Sequence, residues 1–225
     1  MNFKGIFAAM AALAILAGCG NDPNAGVGAK IAGGYLKGLT GKKAKPQPAV
    51  TDPAAYGPLA LKAVKGPVML GVVEKRNAVA ILGQKGRNGP YVTWTSLSRQ
   101  TVTLKHGILT ATRGLGDDLM NAEVDSVSAL IRTRRAGEAN RVMYFLDGES
   151  KTYRLVFRCT VSPGQLDKLA LGKNRITARR VSEACAADDL SFQNTYWIGS
   201  DGWIWQSRQW VSPGVGYLVA QQLRR

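Results

Sequence analysis

Few residues in this chain have the type and spacing that catalysis needs. The lone histidine, His106, falls in Lys105-His106-Gly107 between two strand-like runs, so no two-histidine metal centre can form. A Ser-His-Asp triad would have to use a histidine in a tight turn. Paired carboxylates of the glycosidase type must face each other across a cleft, and the adjacent pairs Asp117-Asp118 and Asp188-Asp189 read instead as turn or helix-start acids. No glycine-rich phosphate loop ending in Gly-Lys-Ser/Thr occurs. What stands out is aromatic. Trp197, Trp203, Trp205 and Trp210 crowd the C-terminal part with Tyr196 and Tyr217. Indole faces stack on sugar rings, and they also fill β cores. The spacing leaves both uses open, with Trp203 and Trp205 on one face of a strand and Tyr196 and Trp197 on opposite faces.

The sulfur chemistry is organised from the N-terminus. Met1-Asn2-Phe3-Lys4 carries one positive charge and is followed by an uncharged apolar run, Ile6 to Ala17, too short to span a bilayer and right for a secretory signal. It ends in Leu16-Ala17-Gly18-Cys19, a lipobox. Cleavage before Cys19 and attachment of diacylglycerol to its thiol are expected, with an acyl chain such as palmitate on the new amine. Cys19 is thereby removed from the thiol count. Of the three cysteines, Cys159 and Cys185 remain as an even pair, expected to form a disulfide in an exported protein. A catalytic thiol is the alternative, but neither sits in a Cys-x-x-Cys motif.

Charge narrows the partners. The chain has 30 Lys and Arg against 15 Asp and Glu, a formal net charge of +15, and loss of residues 1–18 removes a single lysine. So basic a protein attracts anionic partners, and export leaves the membrane surface and acidic polymers rather than nucleic acid. The basic clusters are Arg132, Arg134 and Arg135, then Lys173, Arg175, Arg179 and Arg180. Together with Trp203, Trp205 and Trp210 they form the candidate surface for an anionic polysaccharide or a protein partner. No metal and no cofactor beyond the lipid on Cys19 is expected.

Three segments must position these residues: a signal peptide (1–18), a Gly-, Ala-, Pro- and Lys-rich linker (19–64) that stays extended because it cannot bury enough surface to order itself, and one domain (65–225). From Pro67 onward, short β-branched and aromatic runs alternate with turn residues. Strands are expected over Val68 to Val73, Ala78 to Leu82, Tyr91 to Thr95, Gln100 to Leu104, Ile108 to Thr112, Arg141 to Leu146, Tyr153 to Thr160, Ile176 to Val181, Phe192 to Ile198, Trp203 to Trp210 and Gly216 to Leu223, with hairpins at Lys105-His106-Gly107 and Asp147-Gly148. Val156 and Cys159 should face opposite sides. Asp117 and Asp118 are expected to cap a helix through Leu119, Val124, Val127, Leu130 and Ile131, with its arginines at the C-terminal end. Ser162-Pro163-Gly164 is expected to open a second short helix ending at Gly172, and Cys185 to lie in a loop. The fold class is mainly β, an antiparallel β-sandwich or barrel-like domain with one or two short helices.

The chain also resembles the YjbF family of group 4 capsule or exopolysaccharide lipoproteins of Gram-negative bacteria. The residues that carry the likeness are Leu16 to Cys19, Thr112-Arg113-Gly114-Leu115-Gly116-Asp117-Asp118-Leu119-Met120, the Phe157 to Cys159 stretch with Cys185, and Trp210-Val211-Ser212-Pro213-Gly214. The resemblance implies an all-β periplasmic domain with few helices and no enzymatic activity. Gly20, where inner-membrane retention in enteric bacteria uses aspartate, implies the outer membrane. The expected role is a non-enzymatic accessory factor in polysaccharide secretion that binds anionic polymer or the secretion proteins. The alternative is an adaptor docking an outer-membrane barrel through a sheet edge or its aromatic face, and a glycan-processing enzyme stands third.

Overall fold

The computed structural model describes residues 53–225. The signal peptide, Cys19 and the linker up to residue 52 lie outside the described residues. The chain enters through a short 3-10 turn (Pro53–Tyr56) and helix α1 (Gly57–Ala63). Twelve strands follow: β1 (Val68–Val73), β2 (Ala78–Asn88), β3 (Tyr91–Thr95), β4 (Thr101–Lys105), β5 (Ile108–Arg113), β6 (Asn121–Glu123), β7 (Gly137–Leu146), β8 (Thr152–Leu171), β9 (Asn174–Ala187), β10 (Leu190–Ile198), β11 (Ile204–Ser212) and β12 (Gly216–Arg224). Helix α2 (Asp125–Thr133) connects β6 to β7.

The strands form one antiparallel sheet in the order β5-β4-β3-β2-β1-β12-β11-β10-β9-β8-β7-β6. Every neighbour except the β1–β12 pair is consecutive in sequence, so hairpins build most of the sheet and the C-terminal strand returns to the first. The two ends of the sheet approach each other, and Thr112 N donates to Leu119 O at 2.9 Å just ahead of β6. A nearly closed barrel results. Of the two architectures expected, barrel-like is the one observed. The near-closure leaves only β5 and the three-residue β6 as sheet ends, so little edge is offered to another chain.

The strand positions follow the sequence pattern closely. In β3 the burial alternates, with Val92 and Trp94 buried between Tyr91, Thr93 and Thr95, because period 2 sends successive side chains to opposite faces. The interior is packed by Met69, Leu82, Trp94, Val102, Leu109, Phe145, Phe157, Tyr196 and Trp210 among others. Val156 is half-exposed and Cys159 buried, as their odd spacing requires.

Three expectations are corrected. Asp117 and Asp118 cap no helix: α2 starts at Asp125, after residue Val124, and Asn121–Glu123 is a strand. The apolar period of Val124, Val127, Leu130 and Ile131 is real, but Leu119 and Met120 belong to the loop before β6. Ser162-Pro163-Gly164 opens no helix either. It is a bulge within β8, where the pairing with β9 shifts between Pro163 and Leu166, and proline is tolerated in a strand at such an irregularity. Cys185 is not in a loop but inside β9, directly opposite Cys159.

The bulge bends the long β8–β9 hairpin so that its tip returns to the barrel wall. There Leu169, Leu171 and Ile176 join Val68, Leu70, Leu223, Trp205 and α1's Ala60 in a second apolar cluster. Residues 53–64, read as the end of the linker, are thus seated on the domain, and Arg224 ties them further by donating to the carbonyls of Val64 and Gly66.

Candidate functional site

The antiparallel topology sorts the turns onto two ends of the barrel. One end carries α1, the β2–β3 turn, His106-Gly107, α2, the β8–β9 tip, the β10–β11 turn and the C-terminus. Arg132 and Trp203 of the residues singled out above share a cavity there. The apolar stripe of α2 holds it against the barrel through Val127 and Ile131, and Arg134 adopts the left-handed conformation (φ 56) that ends the helix. Its guanidinium donates to Gly199 O at 2.8 Å, fixing the turn that presents Trp203. Arg225 then lies over both Trp203 and Trp205, 4.7 and 4.1 Å from their ring centroids, and pairs with Asp201 at 2.6 Å. Cation–π contact and ion pair together order the aromatic face.

Arg132, Arg135, Lys173 and Arg175 are exposed and form no ion pair with a carboxylate among the described residues. Arg175 donates only to the Gly172 and Asn174 carbonyls. Of these, Lys173 and Arg175 line a cavity with Pro58, Leu61 and Lys62 of α1, whereas Arg132 lines another with Trp203. His106 sits on the same rim. Burial, then the positive charges of Arg132 and Lys105, push its imidazolium pKa down, so it is neutral at neutral pH and no added cation.

The remaining predicted residues are engaged elsewhere. Arg179 donates to Gly164 O at 2.8 Å across the bulge. Arg180 grips Asp167 bidentately at 2.7 and 3.0 Å, and Trp197 Nε1 donates to the same carboxylate at 2.7 Å. Both arginines therefore brace the β8–β9 arm. Trp210 is core: it is 6% exposed and stacks on Phe192 with centroids 4.7 Å apart. Its place in a contact surface is withdrawn.

Cys159 and Cys185 form a disulfide, with Cα atoms 4.0 Å apart, which leaves no thiolate for catalysis or metal. Among the described residues they are grouped with Glu183 closely enough to share an ion, but the sulfurs are oxidised and Glu183 is already held. Its carboxylate receives Arg141 Nε and Nη2 at 2.9 and 3.0 Å, Asn194 Nδ2 at 2.8 Å and Tyr196 Oη at 2.7 Å. Arg141 is 2% exposed and Glu183 0%. Although burial opposes it, the Glu183 charge holds the Arg141 guanidinium above its ordinary pKa. Burial, then Glu183, pushes the Tyr196 phenol well above its usual value. Gln209 extends the network across the barrel to Leu109 N at 2.7 Å and Gly107 O at 3.0 Å. Sequence reasoning missed it. The available signal was phase, since Glu183 shares the inward positions of Val181 and Cys185.

At the opposite end, two of the stretches that carry the family likeness, Thr112–Met120 and Trp210–Gly214, interlock. Asp118 accepts from Thr112 Oγ1, Gly114 N and Leu115 N, and Asp117 receives Gly214 N. The acids shape a loop.

The described residues form a small, nearly closed antiparallel β barrel with a basic, tryptophan-bearing end. Residues 37–223 match the family described as "Group 4 capsule polysaccharide lipoprotein gfcB, YjbF", and the chain belongs to that family. The crystal structure of the hypothetical lipoprotein YmcC from Escherichia coli (K12) is similar in fold, with TM-score 0.65 and 16% identity over 81% of this chain and 98% of that one. No curated protein matches the chain significantly. No helix among the described residues is long and apolar enough to cross a membrane.

Proposed function

We propose that the protein is an outer-membrane lipoprotein, anchored through lipid on Cys19 with its barrel in the periplasm, that serves as a non-enzymatic accessory factor in capsule or exopolysaccharide secretion. Its contact with the process is anionic polysaccharide. The observation that carries this reading is the exposed guanidinium of Arg132 sharing a cavity wall with Trp203, while Arg225 lies over both Trp203 and Trp205. Guanidinium and ammonium groups attract a polyanion, while indole faces give sugar rings an apolar surface. Membership of a capsule polysaccharide lipoprotein family supports the same assignment.

The test is binding of the purified protein to its host's own surface polysaccharide as salt is raised. Affinity is expected to fall steeply between low and physiological ionic strength, because exposed charges are screened beyond roughly 8–10 Å there. Absence of salt-sensitive binding refutes polymer contact. The adaptor alternative in its sheet-edge form predicts a partner strand on β5 or β6, the two ends of the sheet, which one backbone bond from Thr112 N to Leu119 O links. Its aromatic-face form predicts a protein seated on Trp203.

A further inference from the structure

Beneath the aromatic mouth lies a cavity of about 60 Å³ whose walls include Trp94, Trp203, Trp205, Arg87, His106 and Ser207. A neighbouring cavity of about 140 Å³ shares His106, Gly107, Trp203 and Ile204 with it and adds Arg132. Gly107, in the wall of both, packs closely on Ile204: its φ is +87°, and a Cβ there would stand 2.9 Å from the Ile204 Cβ. Among the described residues, the buried side-chain nitrogen and oxygen atoms left without a hydrogen-bond partner are two, Trp94 Nε1 and Trp203 Nε1. Both belong to walls of this cavity, and Trp94 is only 3% exposed.

A buried N–H without an acceptor is destabilising, and the residues of one site carry two such groups. Indole nitrogen is a donor only, so both lack the same complement, an acceptor oxygen. The charged groups at the rim agree in sign. Arg87 and Arg132 make no ion pair, whereas Asp201, the acid in the adjoining cavity, is neutralised by Arg225. Two lining residues with N–H groups that lack an acceptor, around a pocket too small for a whole sugar ring and among arginines, suit a small group with several acceptor oxygens and negative charge.

We propose that the cavity is a subsite for the carboxylate of an acidic sugar, with Trp94 and Trp203 donating to its oxygens while the ring rests at the mouth. This rests on the polysaccharide reading and deepens it, from any polyanion to a polymer bearing uronic-acid-type carboxylates.

The experiment follows the five indole N–H signals of the purified protein by NMR during titration with D-glucuronate and, separately, with glucose, which carries a neutral hydroxymethyl group in place of the carboxylate. Trp94 and Trp203 are expected to shift with glucuronate and not with glucose, while Trp210, locked in the core, stays. Trp94→Phe and Trp203→Phe, each checked for an unchanged spectrum elsewhere, are each expected to weaken glucuronate about tenfold or more by removing a hydrogen bond to a charged group. Equal response to glucose overturns the carboxylate assignment. Unmoved indoles mean that water fills the cavity and overturn the subsite, even if the whole polymer binds in a salt-sensitive way and the broader function stands. Shifted indoles with no binding of the host polymer sustain the subsite and refute that function.

Discussion

Asp117 and Gly214 are 97 residues apart in sequence, and Asp117 Oδ2 accepts the Gly214 amide at 2.8 Å. The Asp117 carbonyl also accepts Ser212 Oγ at 2.5 Å, so the loop between β5 and β6 is sewn to the turn between β11 and β12. A Cβ at Gly214 would stand 2.6 Å from the Cβ of Asp117. Gly214→Ala is therefore expected to destabilise the fold by about 1–3 kcal/mol through overpacking, and Asp117→Gly, which removes the opposing Cβ, to make the same alanine better tolerated. Denaturant midpoints of the two single variants and the double check this, and simple additivity contradicts it.

The Arg141–Glu183 pair gives a larger effect. Glu183→Ala leaves a buried guanidinium without its counter-charge and is expected to cost about 3–5 kcal/mol, whereas Arg141→Met with Glu183→Leu removes both charges and recovers most of that loss. Chemical denaturation of the three proteins is the check.

These two relationships differ in what local sequence could reveal. Strand alternation such as Tyr91 to Thr95 is set by near neighbours, and it is legible residue by residue. Asp117-Asp118 looked like helix caps because a carboxylate satisfying loose amides has the same sequence signature whether the amides open a helix or line a loop. Ser162-Pro163-Gly164 failed likewise, since serine and proline also suit a β-bulge. Arg132 and Trp203 were legible as charge and aromatic, but their meeting at one end depends on barrel closure. The partnership of Arg141 with Glu183 depends on strands 42 residues apart, and no local pattern encodes it.

Reduction of Cys159–Cys185 is expected to lower stability by about 2–4 kcal/mol on the chain-entropy account. Thermal unfolding with and without reductant measures it, and Cys159→Ser should match the reduced protein. Cys19→Ala should leave this transition unchanged while abolishing lipid labelling and membrane association.

Acid should loosen the β8–β9 arm. The Arg180 hydrogen bond, then that of Trp197, holds the Asp167 carboxyl below its usual value. A carboxylate with a depressed folded pKa contributes stability above its unfolded value of about 3.9, and that contribution is lost as pH falls through the folded value. Trp197 fluorescence is expected to change below about pH 4, and Asp167→Asn to remove that step. A step persisting in the variant would assign it to another group.

The proposal that the Trp203 end meets polysaccharide is tested most directly by a photo-crosslinking residue at exposed position 200, on the same turn and with Trp203 intact, in living, polymer-secreting cells. The expected product is a saccharide adduct that disappears in cells lacking the polymer. A protein adduct with no sugar would contradict the claim and make this end an adaptor surface.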